Sequence, residues 1–347
     1  MFERLALPTP FQVGPVNAYL AERTVVDPGP DGEDARTALA EGLAERDLAM
    51  SDVEQVLVTH SHPDHFGLAR HLSEQGADVL ASPAAAAIMR DFEGRLDYEQ
   101  SYFTELFEAH GMAPETTQTV TQLPEAFVEY APSVEVDREL TAGDTVPIDG
   151  TQFAVRELAG HSEGELAFEW DDEPGDFTES DDVDDPAGGQ PRFTAIVGDN
   201  VLPDTTPNPF LQPPERNGES VDAPEFDDLL ELDDMRPRPL PAFNDSLDEL
   251  QAAGHDRFLP GHGGIIEDPQ GRIDEIRAAH EERSEDVLEL LDGPTTAVEV
   301  MRGLFPDLAV IDYFPGMSEA LGHLDVLLER GEIVREERDG ELVYRRE

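Results

Sequence analysis

The sequence predicts an α/β protein built around a layered sheet, with a small helical module closed by a β-hairpin at its end. Three observations carry that expectation. Short apolar runs alternate with helical spacing over the first 81 residues. Later strand-like runs end at Gly160-His161, Gly198-Asp199 and Gly261-His262. Near the end, Ile333-Val334-Arg335 and Leu342-Val343-Tyr344 flank Asp339-Gly340, a strong hairpin signal.

Taken in order, strands are expected at Arg4 to Leu7, Val16 to Leu20 and Val25-Val26, before Asp27-Pro28-Gly29 turns the chain. Ala35, Leu39 and Leu43 sit at helical spacing over residues 33 to 49. The strand Val56-Leu57-Val58 leads to His60, and a helix with Phe66, Ala69 and Leu72 on one side runs from Pro63 to about Glu74. The strand Asp78 to Ala81 follows. Residues 83 to 122 read as helical, with Tyr102, Phe103, Leu106 and Phe107 as an apolar core face. Strands resume at Val134 to Leu140, Gln152 to Leu158, Leu166 to Trp170 and Phe193 to Val197. The stretch Asp171 to Pro191 holds nine acidic residues and no basic one, and reads as a solvated surface loop. A Pro-rich loop, Pro203 to Pro214, and helices lead to the strand Arg257-Phe258-Leu259. A boundary is expected near 280, separating a domain of residues 1–280 from a module of residues 284–347. Helices near 284–291, 295–304 and 317–330, closed by the hairpin, describe a winged helix.

The composition restricts where such a protein works. The 347 residues carry 78 Asp+Glu against 23 Lys+Arg, a net charge of −55, and every basic residue is Arg. With 39% hydrophobic residues in periodic blocks, disorder is a poor explanation. A folded protein adapted to molar salt is the better one, because the screening length falls to roughly 3 Å at 1 M. We expect a halophilic cytoplasm. There is no Cys, so disulfides and thiolate ligands are excluded and any metal must be held by His and carboxylates. The start of the chain shows no leader pattern, and no run of about 18 apolar residues exists, so no membrane association is expected. So acidic a surface also disfavours nucleic acid at ordinary salt.

The chemistry concentrates in Thr59-His60-Ser61-His62-Pro63-Asp64-His65, where three imidazoles and a carboxylate crowd a strand-to-helix junction. His60 and His62 alternate along an extended segment and can point the same way, while Asp64 and His65 open the helix and can address a second position. His161, Asp199 and His262 each end a strand beside a glycine, at the strand ends where open α/β sheets place their sites. His71, His110, His255, His280 and His323 lack such settings and read as surface or core side chains.

The ordered set Asp27, His60-x-His62-x-Asp64-His65, His161, Asp199 and His262 resembles the metallo-β-lactamase fold superfamily over residues 1 to about 275. The resemblance implies an αββα sandwich with a dinuclear centre. His60, His62 and His161 would hold one metal, Asp64, His65 and His262 the other, and Asp199 would bridge them. Asp27 would orient the site without binding metal. Two divalent ions are implied, Zn2+ first, with Fe or Mn the alternatives. Asp64 would accept a proton from the attacking water, and with no Lys in the chain the metals would carry the oxyanion.

Within that superfamily, Asp199 stands where zinc β-lactamases often have Cys, which argues against antibiotic hydrolysis. A flavodiiron reductase would need a flavodoxin domain, and nucleases with an inserted cap need more than the 62 residues between Asp199 and His262. The stretch Gly198-Asp199…Leu202-Pro203…Thr206-Pro207-Asn208-Pro209, with the terminal module, is similar to the lactamase-β-like, glyoxalase II-like subgroup, although Asn200 stands where a His is expected. The implied reaction is hydrolysis of a thioester or ester, on acyl-CoA or a similar carrier, by a dinuclear-metal-activated hydroxide. The alternative is a ribonuclease cleaving single-stranded RNA, and a distant one an iron-dependent persulfide dioxygenase. Residues 284–347 hold 16 acids and 6 arginines, a net of −10, so nucleic acid is not favoured as a partner. The module instead reads as packing over the active site or forming a homodimer surface.

Overall fold

The computed structural model describes residues 2–172, 177–178, 192–216, 220, 222, 224, 226 and 228–347. By packing, the chain divides into two compact units. One comprises residues 1–92, 127–207 and 247–273; the other comprises 93–126, 208–246 and 274–347.

The first unit contains two sheets. In chain order the elements, those of both units together, begin with β1 (Phe2–Leu7), β2 (Val16–Ala21), β3 (Thr24–Val26), α1 (Glu33–Glu45), β4 (Gln55–Leu57), α2 (Pro63–Phe66), α3 (Ala69–Ser73), β5 (Asp78–Ala81) and α4 (Pro83–Arg90). After α5 (Phe92–Ala109) and α6 (Pro114–Gln122) come β6 (Arg138–Glu139), β7 (Thr145–Ile148), β8 (Thr151–Leu158), β9 (Glu165–Asp172), β10 (Phe177–Thr178) and β11 (Arg192–Gly198). Then follow α7 (Leu229–Asp234), α8 (Pro239–Ala253) and β12 (Arg257–Pro260).

The larger sheet runs β10-β1-β2-β3-β4-β5-β6, antiparallel from β1 to β3 and parallel from β3 to β6. The smaller runs β12-β11-β9-β8-β7, with β11 and β12 parallel. A shared core of Phe2, Tyr19, Val26, Leu57 and Leu80 from one sheet and Phe153, Phe168, Trp170, Ile196 and Leu259 from the other fixes them face to face. On the outer face of the larger sheet, α1 packs on β1, with Leu5 closing against Gly42. The fold is α/β, as expected from the alternating runs.

Three local expectations are corrected. The helix expected from Pro63 to Glu74 is two short ones, because the Leu68 N–H donates to the Gly29 carbonyl at 2.8 Å instead of continuing the helical ladder. The strand expected at Val134 to Leu140 shrinks to Arg138–Glu139. Conversely, β7 forms in a stretch where no strand is expected; it is an edge strand, where a residue lacking an N–H, Pro147, is tolerated. Within the acidic stretch Asp171 to Pro191, Phe177–Thr178 pairs with β1, and the rest of the loop expectation falls mostly outside the described residues.

The second unit ends in α9 (Pro269–Leu290), which runs unbroken through position 280, then α10 (Ala297–Leu304), α11 (Tyr313–Glu329) and the hairpin β13 (Ile333–Arg338) and β14 (Glu341–Arg346). Thr296 and Glu299 form a reciprocal cap at the start of α10. The aromatic face of α5 is buried in this unit's core with Met301, Met317 and Leu321, so its role is packing. The Tyr102 hydroxyl donates to the Leu232 carbonyl at 2.8 Å. Beside that core, Arg236 is buried between Asp233 and Asp325 at 2.6 and 2.7 Å. No helix among the described residues is long and apolar enough to cross a membrane.

Candidate metal centre

All eight residues singled out from the sequence meet at the carboxyl ends of β3, β4, β8, β11 and β12, within the first unit. The chain leaves β4 extended through Thr59 and His60, and His62 caps α2, with Pro63 at the first helical position. This junction places Asp64 and His65 in the first turn of α2. His161 follows β8, Asp199 follows β11 and His262 follows β12. The parallel pairing of β11 and β12 holds the last two side by side. Gly261 is required by close approach: a Cβ there would lie 2.2 Å from Asp199 Oδ1.

The donor atoms form two sets. Nε2 of His60 and Nε2 of His161 each lie 3.1 Å from Nδ1 of His62. Nε2 of His262 lies 3.3 Å from Oδ2 of Asp64, and His65 completes that second group. Asp199 touches both: its Oδ2 is 3.6 Å from His161 Nε2 and 3.4 Å from His262 Nε2, and its Oδ1 is 3.6 Å from His65 Nε2. Except for the half-buried His62, every member is buried.

Hydrogen bonds on the far side of three of the rings select their tautomers. His65 Nδ1–H donates to Asp27 Oδ2 at 2.9 Å, and His262 Nδ1–H donates to the Pro15 carbonyl at 2.8 Å. His60 Nδ1–H donates to Thr59 Oγ1 at 3.0 Å, while the Thr59 hydroxyl donates onward to Asp27 Oδ2 at 2.7 Å. Each of these rings therefore turns an Nε2 lone pair inward. His65 Nε2, His262 Nε2 and Asp199 Oδ1 are buried without a hydrogen-bond partner. Buried polar atoms are rarely left so, and three of them directed at one place suit a cation.

The electrostatics agree. Burial, then the neighbouring imidazoles His65 and His62, holds His60 well below its ordinary value; burial and His161 take His62 down to about 3. Burial works the same way on His65 and His262, but the carboxylates outweigh it. Asp199, Asp27 and Asp64 lift His65 well above the usual range, and Asp199 takes His262 up to about 9. In the first set His60 and His62 are thus neutral imidazoles, while the second sits in a field that demands positive charge. Nitrogen and carboxylate donors in this pattern fit two divalent ions.

Three contributors were not legible as functional in the sequence. Thr59 links His60 to Asp27. The Pro15 carbonyl orients His262. Glu165, 3% exposed, accepts the His161 amide at 3.1 Å, and burial pushes its carboxyl up to about 8 against the pull of the Ser162 and His161 amides. A Glu four residues beyond a candidate His was the available signal.

The fold and this centre define a metallo-hydrolase architecture. A family model described as the metallo-beta-lactamase superfamily matches residues 12–262, and one described as the metallo-beta-lactamase-like, C-terminal domain matches residues 284–347. The chain belongs to the metallo-β-lactamase superfamily. It is 29% identical over 347 residues to "Probable metallo-hydrolase YqjP" of Bacillus subtilis (strain 168), covering 98% of this chain and 96% of that protein. Among solved structures, a metallo-beta-lactamase family protein from Thermus thermophilus superposes with a TM-score of 0.75 at 28% identity, over 100% of this chain and 98% of the other. A beta-lactamase domain protein from Burkholderia ambifaria gives 0.73 at 27% identity, over 99% and 91%.

Proposed function

We propose that the protein hydrolyses a thioester or ester, with an acyl group on coenzyme A or a similar carrier as substrate. The observation that carries this reading is the pair of donor sets joined through Asp199. When bound, two divalent cations, Zn2+ before Fe or Mn, supply Lewis-acid polarisation of the acyl oxygen and activate water near neutral pH. His60, His62 and His161 would hold the first position and Asp64, His65 and His262 the second. Asp64, whose Oδ2 faces His262 Nε2, is the carboxylate placed to accept the proton of the attacking water. Asp27 keeps His65 in the required tautomer.

The terminal arginines support a small acyl substrate over RNA. Arg335 is engaged by Asp233 and Asp234, Arg345 by Glu336 and Arg346 by the Leu288 carbonyl, which leaves that module little free positive charge. We read the module as winged-helix-like and structural, and the protein as cytoplasmic in a halophile.

The test offers protein in molar KCl, loaded with Zn2+ or Mn2+, both acyl-CoA thioesters and single-stranded RNA. Thioester turnover lost in His60→Ala is expected. RNA cleavage lost in that variant, with inert thioesters, would overturn the choice of substrate. One tightly held iron and oxygen-dependent persulfide consumption would overturn the hydrolase itself.

A further inference from the structure

Glu165 and Asn200 stand behind the ligands and contact none of the inward-facing donor atoms. Glu165 opens β9 and Asn200 follows Asp199; both are buried, at 3% and 0% exposure. Glu165 Oε2 accepts the His161 amide at 3.1 Å and one Nδ2–H of Asn200 at 3.3 Å, and the Ser162 amide also bonds this carboxylate. The Asn200 amide donates to the Ala159 carbonyl as well, at 3.1 Å, and its backbone N–H closes onto the Val197 carbonyl at 3.2 Å. The next residue, Leu166, donates its N–H to the Thr59 carbonyl at 2.8 Å. One carboxylate and one amide thus join the loop after β8 to the loop after β11, and the backbone of Leu166 ties the start of β9 to the segment entering His60.

We propose that Glu165 and Asn200 form a clamp that fixes His161 relative to Asp199, making both positioning residues for the ion set that contains His161. The inference rests on the metal-centre reading. The clamp ties the backbone of one ligand to the neighbour of the shared one, and nothing in it reaches Asp64 or His262. Glu165 bonds the His161 backbone directly, whereas it reaches the shared Asp199 only through the neighbouring Asn200, so loss of the clamp weakens the His161 position more than the other. A general supporting role would lower overall stability and leave the two positions in balance.

The experiment is chelator competition for Zn2+ on the full chain in molar KCl, resolving two binding steps. His161→Ala and Asp64→Ala assign those steps to the two sets. Glu165→Ala is expected to weaken the step that His161→Ala abolishes by about 10- to 100-fold, the usual range for a residue that orients a ligand, and to weaken the other step clearly less. Asn200→Ala should act in the same direction and serves if Glu165→Ala does not fold. Glu165→Gln, whose oxygen can still accept the His161 amide but whose NH2 cannot accept a further donor, should weaken that step less than Glu165→Ala. Equal weakening of both steps, or none, in folded Glu165→Ala and Asn200→Ala overturns the clamp. If His161→Ala itself leaves both steps intact, the metal-centre reading fails instead.

Discussion

Asp27 is the residue on which the orientation of two candidate metal-binding imidazoles converges, and Asp27→Asn tests it with little change of shape. The backbone there has φ of 52°, in the left-handed region that Asn tolerates as well as Asp. The carboxylate is 1% exposed and accepts three bonds, from the Thr59 amide at 2.8 Å, the Thr59 hydroxyl at 2.7 Å and His65 Nδ1–H at 2.9 Å. In the variant, Oδ1 can keep the Thr59 amide. An NH2 group then replaces the oxygen that received the other two donors. The Thr59 hydroxyl can rotate, but His65 can face an NH2 only by moving its proton to Nε2, the atom needed for the ion. A hydrogen bond to a charged group is worth about 1.5–3 kcal/mol. That is roughly a 10- to 150-fold loss of affinity, and the general range for such orienting partners, about 10- to 100-fold, agrees. Chelator competition should show this loss mainly in the step involving His65, while urea denaturation in excess chelator shows the part borne by the fold alone. Affinity in both steps within about twofold of wild type, the usual error of such differences, would refute the tautomer reasoning.

Other consequences follow from the second unit and from the surface. His280 donates Nδ1–H to Asn244 Oδ1 at 2.8 Å, and burial, with His323 and Arg283 adding to it against Glu319, brings it down to about 4. Its unfolded form binds a proton below about 6.5 while the folded form does not until about 4. Its contribution is therefore present above pH 6.5 and lost as pH falls toward 4, by at most about 3 kcal/mol. His280→Gln should flatten the stability profile over that window in urea titrations; an unchanged slope would refute it. Arg236→Met removes the guanidinium between Asp233 and Asp325 and should cost about 3–5 kcal/mol, the usual result of stranding a buried charge. A shift in the urea midpoint worth less than about 1 kcal/mol would show that Arg238 and Arg335 suffice. With a net charge of −55, circular dichroism should show loss of structure in dilute buffer and recovery in molar KCl. Full structure in both would remove the halophilic assignment.

Local pattern told much of the architecture because the strands are short, apolar and bounded by turn residues. It misjudged elements whose fate is decided at a distance. The break between α2 and α3 depends on the Gly29 carbonyl, nearly 40 positions away; β7, by contrast, pairs with β8 across the two-residue turn Asp149-Gly150, a local hairpin signal masked by the proline at 147. The second unit shows the same limit more strongly. Residues 93–126 and 208–246 join 274–347 through side chains such as Tyr102 and Leu232, and through Asp233, Arg236 and Asp325. No periodicity within one segment reveals which remote segment it will pack against.

The centre divides along the same line. Ligands are legible because their side-chain chemistry is scarce: His60, His62, Asp64, His65, His161, Asp199 and His262 are types that bind cations, set at strand ends. Their orienting partners are common residues whose role is positional. Thr59 acts through a hydroxyl 2.7 Å from Asp27, and Pro15 through a carbonyl that any residue would offer. Yet these partners choose which nitrogen faces inward. His62 presents Nδ1 to Nε2 of both His60 and His161, and that asymmetry lets three imidazoles from two loops meet at one point. Exchanging Thr59 for Val would leave every ligand in the sequence and remove both the acceptor of the His60 proton and a donor to Asp27. The pattern that identifies the centre would survive unchanged while the orientation that makes it a centre was lost.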